Sequence, residues 1–117
     1  MAAGVFDIYI EQGADLDLPL LWSDVNQNPV DLTGYSARMQ IRENFDSDDY
    51  LIALDTGALG GITLGGGTGL VTVEIPANIT ATFPLMAAVY DIELISSSGS
   101  VYRFLQGAAL ISREVTR

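Results

Sequence analysis

Alternation with a period of two runs through this chain, and it restricts the fold more than any other property. Leu16, Leu18, Leu20 and Trp22 alternate with Asp15, Asp17 and Pro19. Successive side chains of a strand point to opposite faces, so this stretch has one apolar and one polar side. The same pattern puts Phe6, Ile8 and Ile10 on one face, with Asp7, Tyr9 and Glu11 opposite. Tyr35, Ala37, Met39 and Ile41 form a third inward set, and Ser36, Arg38, Gln40 and Arg42 face outward. Pro19 cannot donate to a ladder, which places its strand at a sheet edge.

Further along, Tyr50 to Asp55 reads as a strand, followed by a hairpin with arms Ile62 to Leu64 and Leu70 to Ile75 around a glycine turn. A short helical turn fits between Pro76 and Pro84, and two longer strands between Ala88 and Ser112 are joined by the Ser/Gly turn at Ser96 to Ser100. About eight short strands and no long 3.6-residue period predict an all-β, antiparallel sandwich, with the immunoglobulin-like arrangement one candidate. A small barrel is the alternative, which periodicity does not separate from it. No linker or repeat divides residues 1–117, so a single domain is expected.

Composition narrows the chemistry. The chain has no Cys, His or Lys, and its five basic residues are all Arg. Thiolate and imidazole metal ligands, a Ser-His-Asp triad, a phosphate-binding loop of the Lys type and Schiff-base chemistry are thereby excluded. The glycine-rich run Gly65 to Gly69 accordingly reads as a turn. A net charge of −10 repels phosphate backbones and anionic lipid, so neither nucleic acid nor membrane is an expected partner. The apolar runs are too short to span a bilayer, and no secretory signal is expected from the N-terminus.

Several constellations merit weighing. Asp55-Thr56-Gly57-Ala58 resembles the catalytic loop of retroviral-type aspartic proteases, whose two loops meet at a dimer axis. Those enzymes also need a late apolar-apolar-Gly segment leading into a helix, whereas "FLQGAALIS" reads here as a strand. The simpler reading is a turn in which Asp55 and Thr56 satisfy backbone groups and Gly57 takes a positive φ. Asp46, Asp48 and Asp49 supply carboxylates of the kind Ca²⁺ prefers, but without EF-hand spacing, and a solvated turn is the expectation.

A glycosidase carboxylate pair would need a cleft that short hairpins do not build. Asn78-Ile79-Thr80 is a glycosylation sequon by pattern alone. The five Tyr residues are too scattered to predict a carbohydrate-binding face. Arg38 and Arg42 share an exposed strand face; pairing across the same sheet is the bland reading, and a protein contact the sharper one. No catalytic, cofactor or metal residue is assigned.

Taken whole, the chain resembles small virion proteins of tailed bacteriophages, tail and baseplate components especially. The resemblance rests on "PVDLTGYSARMQIR", "GGITLGGGTGLVTVEI" and "YDIELISSSGSVYRFLQG", and segments of the first and last type recur in that group with similar spacing. The N-terminal domain of baseplate upper proteins has a comparable opening. The resemblance implies a non-enzymatic structural module, assembled in the host cytoplasm into the virion. Its partners would be other virion proteins and further copies of itself in a symmetric array. A capsid decoration protein is the nearest alternative, and a dimeric aspartic protease using Asp55 the alternative of another class. Arg38, Arg42, the edge at Pro19 and the terminal segments are the expected contact surfaces.

Overall fold

The computed structural model describes residues 3–115. Within them the strands are β1 (Gly4–Val5), β2 (Ile8–Glu11), β3 (Leu16–Leu21), β4 (Ser36–Arg42) and β5 (Ile52–Asp55), then β6 (Ile62–Leu64), β7 (Leu70–Ile75), β8 (Ala87–Ile95) and β9 (Val101–Ser112). A 3-10 turn at Gly66–Thr68 joins β6 to β7, and one helical turn, α1 (Ala77–Thr80), follows β7. The expected terminal arms include residues 1, 2, 116 and 117, which lie outside the described residues.

The strands form two sheets. One runs β1-β9-β8-β4-β5 with β2 also on β9, and the other runs β3-β7-β6. Every pairing between named strands is antiparallel except those of β1 and β2, which run parallel to β9. This is an immunoglobulin-like sandwich: β9-β8-β4-β5 take the places of strands G, F, C and C′, and β3-β7-β6 those of B, E and D. The sheets touch at one corner, where Asp55 bridges Gly61, and the barrel alternative is set aside.

Alternation explains the core. Met39, Ile41, Ile92, Leu94 and Ile10 of the first sheet share a buried cluster with Val71, Val73 and Ile75 of the second. Each such side chain contributes about 1.5–3 kcal/mol on leaving water. Trp22 closes one end of the sandwich, its ring 6.3 Å from Tyr35, 5.9 Å from Tyr102 and 5.9 Å from Phe104. Offset and edge contacts of this kind suit the ring quadrupoles.

Two local expectations about the strands are corrected. Phe6 is exposed, because its carbonyl and not its ring lies over Gly107 on β9. A Cβ on Gly107 would collide with that carbonyl, so glycine is required by close approach there. The break between β1 and β2 is then stitched to β9 by other means. Phe6 N–H donates to the Gln106 carbonyl at 3.0 Å, and the Asp7 carboxylate accepts from Ala108 N–H at 3.0 Å.

The β9 strand also does not keep one phase. Ile92 pairs with Leu105 while Glu93 pairs with Arg103, so Phe104 is an extra residue in a bulge. Phe104 and Leu105 consequently both face the core. The strand expected from Tyr50 begins only at Ile52, and Tyr50 itself is exposed.

Pro19 lies where the sequence places it, since β3 is an edge strand. Trp22 N–H donates to the Gly69 carbonyl at 2.9 Å, so alternation turns residues 17, 19 and 21 toward the open edge. Pro19 therefore removes the middle donor that an added strand would use, which blunts this edge.

Candidate interaction surfaces

The outer face of the first sheet is built from rows that cross β4, β8 and β9. One row is Arg38, Glu93 and Arg103; the next is Gln40, Asp91 and Gln106; a third is Arg42, Val89 and Ala108. Alternation along each strand turns these residues away from the core, whose members are their neighbours Met39, Ile41, Tyr90, Ile92 and Leu94. Three of the five Arg residues thus stand on the middle of one face.

Arg38 Nε donates to Glu93 Oε1 at 2.7 Å, and Arg103 Nε lies 3.5 Å from Asp91 Oδ2. The Arg38 side chain remains 58% exposed, so its guanidinium is paired yet presented. An exposed pair of this kind contributes only about 0.2–1 kcal/mol. Burial, and then the nearby Glu93, push the Asp91 carboxyl above its ordinary value against the pull of Arg103, Arg38 and Arg42. Cross-strand pairing is therefore realised for Arg38.

Arg42 has a different job. Its guanidinium donates to Gln40 Oε1 at 2.7 Å and to the Ser47 and Asp49 carbonyls at 2.7 and 3.3 Å, and sits 5.9 Å from the Tyr50 ring centre. The loop carrying Asp46, Asp48 and Asp49 is thus folded around an internal cation. Asn44 shapes its start, with Oδ1 accepting from Asp46 N–H at 3.0 Å. Among the described residues, no group of three or more carboxylates is placed to hold a metal ion.

Asp55 ends β5 as a turn cap. Its Oδ1 accepts from the N–H groups of Gly57, Leu59 and Gly60 at 2.8, 3.0 and 3.3 Å. Thr56 Oγ1 accepts from Ala37 N–H at 3.2 Å, and Thr56 N–H donates to the Ala37 carbonyl at 3.1 Å. The local role expected of Asp55 and Thr56 is what the structure shows. The expected positive φ at Gly57 is corrected: it falls at Gly60 and Gly61, with φ of 73° and 91°. The chain reverses later because the carboxylate gathers three backbone N–H groups of one turn, and Gly60 and Gly61 then bend the chain into β6.

The Thr of the sequon is inside the protein. Thr80 is fully buried; its hydroxyl accepts from Gly13 N–H at 3.1 Å and donates to the Ala14 carbonyl at 2.8 Å. It ties α1 to the turn between β2 and β3. Nothing in the sequence pattern marked this residue as buried, since a hydroxyl in a short polar turn is ordinarily solvated. Tyr90 is likewise buried, and Tyr35 and Tyr102 belong to the Trp22 cluster.

The second sheet has a different outer face. Its cross-strand pairs are Asp17 with Glu74, Pro19 with Thr72 and Leu21 with Leu70. The strands β3, β6 and β7 contain no basic residue. Large apolar side chains are exposed at the rims as well, among them Val5, Tyr9, Phe45 and Leu85. A shallow groove lined by Tyr9, Leu85, Met86, Ala87 and Leu110 lies over the end of β9, between β2 and the start of β8.

No protein-family model and no curated protein matches this chain. A solved chain from photo-crosslinking work on the multimeric cell-adhesive interactions of VGSC beta subunits is similar at 12% identity, covering 99% of this chain and 98% of that one, with a TM-score of 0.48.

Proposed function

We propose that this chain is a structural component of a tailed-phage virion, in the tail or baseplate, and that it works through protein–protein contacts without performing a reaction. Its partners are other virion proteins and further copies of itself. The observation that carries this reading is the outer face of the first sheet. There, the Arg38–Glu93–Arg103 row is presented to solvent on hydrogen-bonded strands and not on loops. Side chains fixed on strands keep their spacing, which a repeated contact in a symmetric assembly requires.

The sequence resemblance supports the same reading. "PVDLTGYSARMQIR" runs into β4, and "YDIELISSSGSVYRFLQG" is the β8–β9 hairpin. The segments that carry the resemblance therefore build the middle of this sheet. Asp55, by contrast, is committed to its own turn by three backbone donors. The role of Arg38 is contact by charge and planar hydrogen bonding. Arg42 holds the neighbouring loop in place, and Pro19 keeps the β3 edge from adding strands.

Antibody labelling of phage particles that carry this protein tests the reading. Label is expected at the tail or its tip. Particles without label, with the protein left in the soluble lysate, would overturn it.

A further inference from the structure

We propose that the outer faces of the two sheets are complementary to each other, so that one copy of this chain docks the Arg38–Arg103 row of its first sheet onto the Asp17–Glu74 pair of a second copy. This rests on the reading of the chain as a building block and names its partner as a further copy of itself.

Three observations carry it. First, Asp17 and Glu74 oppose one another directly. Glu74 N–H donates to the carbonyl of Gly61, just before β6 and away from β3, so the two acids form a non-hydrogen-bonded pair, the kind whose side chains stand closest. Like charges in that position repel. Among the described residues neither acid has an ion-pair partner, and their sheet has no Arg to offer one.

Second, the first sheet presents Arg38 and Arg103 in one row, both exposed, with Glu93 between them. Two guanidiniums over the Asp17–Glu74 pair would remove the repulsion and leave each carboxylate a bidentate partner. Third, the rows match in spacing. On β3, Leu21 lies four residues from Asp17 and pairs with Leu70, making an exposed apolar patch. On β8, Val89 lies four residues from Glu93 and pairs with Ala108, making an apolar patch flanked by Arg42, whose guanidinium is turned into the Ser47–Asp49 loop. Both separations are about 13 Å, because strand rise is common to all strands. Acids thus meet the basic row when Leu21 and Leu70 meet Val89 and Ala108. Polar Pro19–Thr72 and Gln40–Asp91–Gln106 rows fall between.

The two faces lie on opposite sides of the sandwich, so the contact is heterologous, and each copy has one face of each kind. Repetition gives a closed ring or a stack. Asp55 stands opposite Arg38 on β5 and continues that row, but its carboxylate is engaged by the N–H groups of Gly57, Leu59 and Gly60, and Glu11 on β2 lies outside the three rows.

Sedimentation at low salt tests this with two double variants. In the first, Asp17→Arg with Glu74→Arg spoils the second sheet; in the other, Arg38→Glu with Arg103→Glu spoils the first. The wild type is expected to assemble with concentration and to dissociate as salt screens the charges. Each variant alone is expected to be monomeric, and an equimolar mixture to assemble again as alternating copies, since the two intact faces pair and the two reversed faces are opposite in charge to each other. Arg38→Gln with Arg103→Gln serves where the reversal unfolds the chain, and should weaken assembly at least about tenfold.

A wild type that stays monomeric near 1 mM, where even a contact with Kd ~1 mM half-forms, overturns the proposal. So does a first-sheet or second-sheet variant that still assembles alone, or a mixture that stays monomeric. If the protein is in virions but these variants behave as the wild type, only the docking geometry fails. If they behave as expected and the virions lack the protein, only the virion role fails.

Discussion

Tyr90 on β8 donates its hydroxyl to the carbonyl of Phe6, 84 residues earlier in the chain. The bond ties the centre of the first sheet to the break in its edge strand. Burial, with the Asp7 carboxylate adding to it, pushes the Tyr90 phenol up to about 12 from an ordinary 10.0. The unfolded chain releases this proton first as pH rises. Stability from Tyr90 is therefore fully present below pH 10 and is lost as pH climbs toward 12. Thermal melts from pH 8 upward should show a steep fall above pH 10, and Tyr90→Phe should flatten it while lowering Tm at neutral pH. An unchanged alkaline slope in the variant would remove Tyr90 from this account.

Thr80 should matter more than its short polar turn implies. Replacing it with Val keeps the volume but orphans the half-buried Gly13 N–H, which now has only the Thr80 hydroxyl at 3.1 Å. An unsatisfied buried donor costs about 1–3 kcal/mol. Urea denaturation of Thr80→Val should show that loss, and Thr80→Ser should recover most of it. Equal stability of Val and Ser variants would contradict the assignment.

Asp55 gives a test that separates a cap from a catalyst. Asp55→Asn retains an oxygen for the N–H groups of Gly57, Leu59 and Gly60, whereas Asp55→Ala leaves all three without it. The expected order of stability is wild type, Asn, then Ala, with Ala lower by about 1–3 kcal/mol. Acid-pH peptide cleavage by the wild type that disappears in Asp55→Asn would favour the protease alternative instead.

The legibility of this sequence follows the range of the interaction involved. In β3, β4 and β7 each inward side chain meets the other sheet, so alternation along the strand suffices to read their faces. Phe6 breaks that rule because a hydroxyl far along the chain captures its carbonyl over Gly107. Phe104 breaks it because a bulge adds one residue, and nothing local distinguishes "RFLQG" in phase from "RFLQG" out of phase. The exposed rows show the same division. That Arg38 faces outward is a local fact, while its pairing with Glu93 depends on how β4 and β8 align. The hold of Arg42 on the acidic loop required the loop to close back on its own strand, which residue spacing does not reveal.

A chain lacking imidazole, thiol and primary-amine side chains acts, in this account, by the shape and charge of two rigid sheets. Quantitative mass spectrometry of tails and heads purified separately from the same phage examines that most directly. The account predicts the protein in the tail fraction at a fixed copy number per particle. Recovery from neither fraction, with all of the protein in the soluble lysate, would contradict it.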